Sequence, residues 1–234
     1  MTKEVALITG VGEGTGAALA RRFALGGYDV AMIARNQERL EALEKEIENA
    51  KGYVCDIGDL HALMIVVKAV KAEMGAPSVL VHNAVSATFK TLLDADPEDL
   101  EKNFRVNTTS LLYLARELVP EMIQKGSGAI MVTGNTAALR GVPHTAVFAP
   151  TKAAQRIMAQ SMARDFGPKG VHVAYITIDA VIDTPWTRLP QHPDKPDEFF
   201  AKPAAIADEV FHIAHQDRST WAFDLVIRPF AEKW

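Results

Sequence analysis

The chain has 234 residues, of which 48% are hydrophobic and 23% charged, a composition typical of an ordinary globular protein. Its formal net charge of −4, with no cluster of lysines and arginines, argues against a nucleic-acid partner. No stretch approaches the roughly 20 apolar residues that cross a bilayer, and the N-terminal residues lead into a strand rather than a signal sequence, so we expect no membrane partner. The single cysteine, Cys55, cannot form an internal disulfide, which favours a cytoplasmic location.

The first element is a short strand followed by a glycine-rich loop. Residues 5–8 form an apolar run of the length expected for a buried strand. The loop that follows has a glycine at every second position: Gly10, Gly12, Gly14 and Gly16. A helix with an apolar face begins directly after it. Because backbone N–H groups at a helix N-terminus attract anions, and glycines let a ligand approach closely, this stretch predicts a phosphate-binding site.

Strand and helix signals alternate along the rest of the chain. Further strands are predicted at 28–33, 51–55, 78–82, 129–133, 171–178 and 221–228. Further helices are predicted from Asn36 and over about 59–74, 97–124, 147–166 and 204–215. Such alternation with short connections predicts an α/β fold with a doubly wound parallel sheet of about seven strands and helices on both faces. No linker divides the chain, so we expect a single domain over residues 1–234.

The alternation is interrupted between Pro185 and Pro203 by a polar segment that contains several prolines. A long irregular segment of this kind is often a lid over a binding site, and a disordered surface insertion is an equally good interpretation. Its apolar side chains either line a pocket for an apolar substrate or anchor the segment to the core. These side chains are Trp186, Leu189, Phe199 and Phe200.

The order of these motifs resembles the short-chain dehydrogenase/reductase family over nearly the whole chain. The stretch 9–16 matches the family's Thr-Gly-x-x-x-Gly-x-Gly loop. Asp56-Ile57 is similar to the pair that the family places beside an adenine ring, and Asn83-Ala84 matches the centre of its Asn-Asn-Ala-Gly motif. The resemblance implies a Rossmann fold, a bound NADP or NAD, and oxidoreductase activity on a small alcohol or carbonyl compound. The cofactor-binding residues it implies are Gly10, Gly12, Glu13, Gly14, Thr15, Gly16, Arg35, Asp56, Ile57, Asn83, Ala84, Lys152, Ile182 and Thr184.

The catalytic positions that the resemblance implies are only partly retained. Lys152 matches the lysine of the family's Tyr-x-x-x-Lys motif, and Asn107 the asparagine that kinks a helix and holds a proton-relay water. The tyrosine position is occupied by Phe148 and the serine position by Asn135. Phenylalanine has no proton to exchange with a substrate oxygen, so the usual general acid is absent. Asn135 can still donate a hydrogen bond to a carbonyl group.

Two other residues are candidates for the missing proton transfer. His144 lies one helical turn before Phe148, and histidine suits proton transfer near neutral pH, although an isolated loop histidine is more often a surface residue. Lys152 is the other, provided that burial lowers its pKa. The alternative role of Lys152, which requires no change in its pKa, is to bind the ribose hydroxyls of the cofactor. The sequence therefore leaves two functions open: an oxidoreductase with an altered proton relay, and a cofactor-binding protein with little turnover that acts as a sensor or an inert subunit.

The choice of dinucleotide depends on two opposite charges. Arg35, just past the second strand, can pair with a 2′-phosphate, and the absence of an acidic residue there favours NADP. Glu13, in the loop, would repel that phosphate. We expect NADP, with NAD as the alternative. The helices over 97–124 and 147–166 resemble the family's dimerisation helices, which implies a homodimer or homotetramer.

Overall fold

The computed structural model describes residues 3–231, without the side chain of Pro190. The strands in this range are β1 Val5–Thr9, β2 Asp29–Ala34, β3 Ala50–Val54, β4 Pro77–His82, β5 Gly128–Asn135, β6 Val171–Ile178, β7 Val181–Ile182, β8 Phe200–Ala201 and β9 Asp224–Ile227. The helices are α1 Thr15–Leu25, α2 Gln37–Glu46, α3 Leu60–Met74, α4 Pro97–Phe104, α5 Ser110–Lys125, α6 Ala149–Phe166, α7 Pro185–Gln191 and α8 Pro203–Ala214.

Seven parallel strands form the central sheet in the order β3-β2-β1-β4-β5-β6-β9. The chain winds outward in one direction from β1 to β3 and in the other from β4 to β9, so the order reverses between β1 and β4. In sheets of this kind ligands bind beyond the carboxyl ends of the strands at that reversal. The predicted doubly wound α/β fold is confirmed, and the reversal point lies where the glycine-rich loop leaves β1.

Apolar side chains fill both faces of the sheet, because the central strands carry apolar residues at successive positions. All five residues of β1 are buried, and odd and even positions contribute to different layers. Val5 and Leu7 pack with α3, α5 and α6 on one face. Ala6 and Ile8 pack with α1, α2 and α8 on the other. Strands buried on both faces are typical of a parallel sheet between two helical layers.

The helix predicted over 97–124 is interrupted in its middle. Its start is as expected, since the Asp96 side chain accepts a hydrogen bond from the Glu98 amide at 2.9 Å and Pro97 takes the first helical position. Between α4 and α5, however, Arg105–Thr109 form a π-helical segment. A π-helical segment changes the backbone hydrogen-bond pattern and is often found at functional sites.

The segment between Pro185 and Pro203 is more regular than the sequence indicates. It contains α7 and a short turn of 3₁₀ helix, and β8 pairs with β7 in a two-stranded sheet. Arg188 holds the segment together, because its guanidinium donates to Asp183 at 2.5 Å and contacts Asp197 at 2.8 Å. Arg188 also lies 4.4 Å from the centre of the Phe200 ring. The prediction of an irregular or disordered insertion is therefore wrong.

In the described range, 3–231, no helix has both the length and the apolar character needed to cross a membrane. The same residues contain no group of three or more His, Cys, Asp or Glu side chains that could hold a metal ion.

Candidate active site

A cleft of about 1550 Å³ opens beyond the carboxyl ends of β1, β2 and β4. All but one of the residues predicted to bind the cofactor line it. These lining residues are Gly10, Gly12, Glu13, Gly14, Thr15, Gly16, Arg35, Asp56, Ile57, Asn83, Ala84, Ile182 and Thr184. The exception is Lys152, which lies behind the cleft wall. The tertiary structure thus brings together residues that are as far apart in the sequence as Gly10 and Thr184.

The glycine-rich loop has two kinds of glycine. Gly10 has a φ of +71°, and a Cβ there would lie 2.5 Å from the Cα of Ala84, so this position is fixed by the chain itself. A Cβ on Gly16 would lie 2.3 Å from the Gly10 carbonyl oxygen. Gly12 differs, because a Cβ there would meet no atom within 4 Å. Gly12 faces the open cleft, where the missing side chain leaves room for a ligand.

The N-terminus of α1 has unsatisfied polar groups that suit an anion. The N–H groups of Glu13 and Gly14 donate to no backbone carbonyl of the described residues. The Thr15 hydroxyl is buried and has no hydrogen-bond partner among them. Free amides at the positive end of a helix dipole, next to an open glycine, fit a pyrophosphate group. The residues present in this chain therefore fit a dinucleotide.

The far end of the cleft carries positive charge. Arg35 follows β2, and no described residue forms a hydrogen bond or ion pair with it. Arg39, in the first turn of α2, donates from Nη2 to Glu13 Oε1 at 2.8 Å. Its Nε atom is buried without a partner. Sequence reasoning missed Arg39; its position one turn after Asn36, the capping residue of α2, was the available signal.

The end of β4 is anchored to the glycine-rich loop. Asn83 donates from Nδ2 to the Gly10 carbonyl at 3.0 Å and accepts from the Thr133 hydroxyl at 3.0 Å. The preceding residue, His82, is completely buried, with Nδ1 3.2 Å from the Thr9 hydroxyl. Burial lowers the pKa of His82 to about 3, so this imidazole is uncharged at neutral pH. These contacts hold the floor of the cleft in a fixed position.

The other end of the cleft lies beneath α7. A Cβ on Gly14 would lie 2.8 Å from Thr184 Cγ2 and 3.8 Å from the Trp186 ring, so α7 covers the glycine-rich loop. Ile182 and Thr184 line the cleft here, whereas Asp179 does not. The Asp179 amide donates to the Ile227 carbonyl at 2.9 Å, which ties it to β9.

The four apolar side chains predicted to line a pocket or anchor the segment have different roles. Trp186 lines the cleft. Phe200 is buried, and the Phe199 ring packs edge-on against it with 5.1 Å between ring centres. Leu189 is 77% exposed. The anchoring interpretation therefore describes the two phenylalanines, and the pocket interpretation describes only the tryptophan.

Asn107 lies in the π-helical segment and is completely buried. Its side chain accepts from the Ser86 amide at 2.8 Å and donates to the Ser86 carbonyl at 2.8 Å. It also donates to the Thr151 hydroxyl at 2.8 Å. Asn107 thereby fixes the loop after β4 against α6. Its main-chain carbonyl accepts a hydrogen bond from the side chain of Gln155, a residue that sequence reasoning missed.

Lys152 is only 2% exposed, although lysine is rarely buried without a carboxylate. Its ammonium donates to the Thr133 carbonyl at 3.3 Å and to the side-chain oxygen of Gln155. No carboxylate of the described residues lies within 4.0 Å of it. Burial lowers the pKa of Lys152 to about 7, because desolvation disfavours the charged form. The charge of this lysine is consequently sensitive to pH near neutrality.

Three other predicted catalytic residues are not among those that line the cleft. Phe148 is 2% exposed, and the Phe89 ring meets it edge-on at 5.4 Å. The exposed His144 lies beside Phe89, with 6.2 Å between the ring centres. Asn135 accepts through Oδ1 from the Ala137 amide at 3.2 Å, while its Nδ2 donates to no described group. The Nδ2 group of Asn135 is thus an unused donor among the described residues.

Residues 4–192 match the family model for short chain dehydrogenases. The chain is 32% identical over 185 residues to versicolorin reductase 1 of Aspergillus parasiticus, an alignment that covers 76% of this chain and 70% of that protein. It resembles a metagenomic short-chain oxidoreductase in complex with NADP, with a TM-score of 0.84, 26% identity and 98% of each chain covered. It also resembles the alcohol dehydrogenase of the archaeon Thermococcus sibiricus complexed with 5-hydroxy-NADP, with a TM-score of 0.87, 25% identity, and 99% and 98% covered.

The chain belongs to the short-chain dehydrogenase family. It is an NAD(P)-binding oxidoreductase of that family by sequence and by fold, which confirms the class predicted from the motifs. The assignment of Phe148 and Asn135 to two of the family's catalytic positions stays a prediction from the sequence.

Proposed function

We propose that this protein is an NADP-dependent oxidoreductase that acts on an alcohol or carbonyl compound through an altered proton relay. The observation that carries the proposal is the continuous cleft from Arg35 past the glycine-rich loop to Ile182 and Thr184. NADP, when bound there, supplies or accepts a hydride. The chain binds the pyrophosphate with the loop amides and orients the nicotinamide end beneath α7.

The charges at the adenosine end support NADP over NAD. Arg35 has no partner in the described chain, and Arg39 stands close by in the same cleft. Two guanidinium groups suit a phosphate, since each offers several donors in a planar fork. Glu13, which the sequence indicates as a repulsive charge, is partly neutralised by Arg39. Two of the similar solved structures hold NADP or a derivative of it.

The proton relay is the part of the site that differs from the family pattern. Phe148 has no exchangeable proton, so a substrate oxygen near it must obtain its proton elsewhere. Asn135 is free to donate a hydrogen bond that polarises a carbonyl group. His144 is exposed and lies beside Phe89, whose ring packs edge-on against Phe148. We therefore expect turnover that is slower than that of a tyrosine-containing relative by a factor on the order of 10² to 10⁴.

The decisive experiment combines binding with turnover. NADPH and NADH are titrated by fluorescence, and the protein is then assayed with trifluoroacetophenone and a set of aliphatic and aromatic ketones. Binding of NADPH with measurable ketone reduction supports the proposal. The variant His144→Ala tests whether the histidine supplies the proton, with Tyr113→Phe as a control. If neither NADPH nor NADH binds, the proposed oxidoreductase function is contradicted.

A second candidate function is a dinucleotide-binding protein with little or no turnover. The observation that favours it is the burial of Lys152 behind the cleft wall, next to a residue that cannot exchange a proton. A sensor or an inert subunit needs only the binding cleft. Tight NADPH binding without reduction of any ketone in the assay above would support this second function over the first.

We further propose a homodimer or homotetramer formed through α5 and α6. An apolar hollow of about 640 Å³ lies between these two helices. Leu112 on α5 and Ile157 on α6 are 40% and 55% exposed, which leaves apolar surface for a second copy. Light scattering tests the assembly, and Ile157→Glu should yield monomers. The cytoplasmic location and the single-domain organisation stay predictions, which cell fractionation and calorimetric unfolding would test.

A further inference from the structure

Gln155 lies between two groups that carry the chemistry of this site. Its side-chain nitrogen donates to the main-chain carbonyl of Asn107, and its side-chain oxygen accepts from the ammonium of Lys152. The π-helical segment determines where the Asn107 carbonyl points. Gln155 is itself completely buried. Its carboxamide therefore uses a donor and an acceptor at once, and neither partner needs water for these bonds.

We propose that Gln155 is a positioning residue of the site: its carboxamide ties the Lys152 side chain to the Asn107 carbonyl and holds the lysine nitrogen behind the cleft wall. The inference deepens the proposed function and rests on it, since Lys152 is the ionisable group of the family's catalytic set that this chain retains. With Gln155 and the Thr133 carbonyl as partners, two of the three N–H bonds of the ammonium are used.

The surroundings of Lys152 make this tether important for its charge. The groups packed around it come from several elements and include two titratable side chains, His82 on β4 and Tyr175 on β6. Burial lowers the pKa of His82 and raises the pKa of Tyr175, so both are uncharged at neutral pH. The Tyr175 hydroxyl lies 3.5 Å from the side-chain oxygen of Gln155. The charged form of Lys152 is thus stabilised by neutral dipoles alone, of which Gln155 supplies one.

The tether also provides no path for protons between Lys152 and the Asn107 carbonyl. A water molecule between a lysine and a carbonyl group can accept and release protons, whereas a carboxamide does neither near neutral pH. The polar connection from Lys152 to the π-helical segment consequently holds the lysine in place without carrying protons. Gln155 therefore takes the place between Lys152 and the Asn107 carbonyl that a proton-carrying water could otherwise fill.

The test is a titration of Lys152 by nuclear magnetic resonance with isotope-labelled lysine, in which the Lys152 signal is identified by its loss in Lys152→Arg. In the unmodified protein we expect a midpoint near pH 7, about three pH units below an ordinary lysine. Gln155→Glu places a carboxylate beside the ammonium and should raise the midpoint by about two pH units or more. Gln155→Leu removes the acceptor and should lower it further. Gln160→Glu, the same change five residues further along α6, is the matched control and should have no effect.

A Lys152 signal that titrates together with the other lysines in the unmodified protein would overturn the proposal. So would a midpoint that Gln155→Glu leaves unchanged. If circular dichroism shows that Gln155→Glu does not fold, Gln155→Leu decides, because an unchanged midpoint contradicts the tether and a lowered one supports it. The titration requires no dinucleotide, so its failure leaves the proposed function standing, whereas failure to bind NADPH leaves the titration result intact.

Discussion

The carboxylate of Glu13 and the guanidinium of Arg39 lie 2.8 Å apart at the edge of the dinucleotide cleft, although 26 residues separate them in the sequence. The two side chains are 54% and 32% exposed, so the pair itself contributes little to stability. Its importance lies in the site, because a 2′-phosphate arriving near Arg35 would compete with Glu13 for Arg39. We therefore expect the pair to affect which dinucleotide is bound.

Replacing Glu13 with glutamine should favour NADPH. The substitution removes a negative charge and releases Arg39, so we expect the affinity for NADPH to rise by about threefold to tenfold, which corresponds to roughly 1 kcal/mol. The affinity for NADH should change little. Calorimetric titration with both dinucleotides, and with 2′,5′-ADP against 5′-AMP, measures the difference. An equal change for both members of each pair would contradict a role of Glu13 in selectivity.

Replacing Arg35 with glutamine should have the opposite effect. A hydrogen bond to a charged group contributes about 1.5–3 kcal/mol, so the affinity for NADPH should fall by roughly tenfold or more while that for NADH is retained. Arg21→Gln is the matched control. Arg21 forms an ion pair with Glu46 at a distance of 2.6 Å, and neither residue lines the cleft. A loss of NADH affinity as large as that of NADPH would show that Arg35 does not recognise the 2′-phosphate.

The double variant Phe148→Tyr with Asn135→Ser should increase ketone reduction. A phenol at position 148 supplies an exchangeable proton next to Lys152, so we expect a rise on the order of tenfold or more in kcat/KM for trifluoroacetophenone. Phe148→Leu with Asn135→Ser removes the ring without adding an acid and should give no gain. If both double variants behave alike while NADPH still binds, the site is not a latent dehydrogenase site of the usual kind.

Gly134→Ala should destabilise the fold strongly. A Cβ at this position would lie 2.2 Å from the Cζ atom of Tyr175, which is completely buried. Overpacking of this kind costs about 3 kcal/mol, which corresponds to a fall in Tm of roughly 6–12 °C. Gly141→Ala is the control, because a Cβ there meets no atom within 4 Å. Thermal unfolding that shows equal Tm values for the two variants would argue against this packing.

The burial of His82 predicts a specific pH dependence of stability. Its folded-state pKa of about 3 lies below its ordinary value of 6.5, so between these values the unfolded chain binds more protons than the folded chain. The free energy of unfolding should therefore fall as the pH is lowered through this window, by up to about 1.4 kcal/mol per pH unit from this residue. Urea unfolding at several pH values measures the slope.

His82→Asn should remove this part of the slope, whereas His61→Asn, at an exposed position on α3, should leave the pH dependence unchanged. An identical slope in all three proteins would show that His82 is charged in the folded state, contrary to its complete burial.

Local patterns in the sequence determined most of the fold. The alternation of apolar runs with helical periods predicted the strands and helices of the sheet. Asp96-Pro97 predicted the start of α4, because helix capping depends on residues a few positions apart. The glycine spacing indicated the phosphate site, since the loop and the α1 N-terminus are adjacent in the chain. The presence of Phe148 four residues before Lys152 predicts that the usual acid is missing.

The tertiary structure decided what depends on contacts between distant parts of the chain. Arg39 reaches Glu13 only because α2 packs beside the glycine-rich loop. Gln155 meets the Asn107 carbonyl across 48 residues of sequence, and no local pattern indicates that α6 and the π-helical segment lie side by side. Lys152 was predicted from its motif to be a cleft residue, yet it is 2% exposed and donates to the Thr133 carbonyl of β5. The sequence thus determined which chemical groups are present, and packing decided their solvent exposure, their partners and hence their charge.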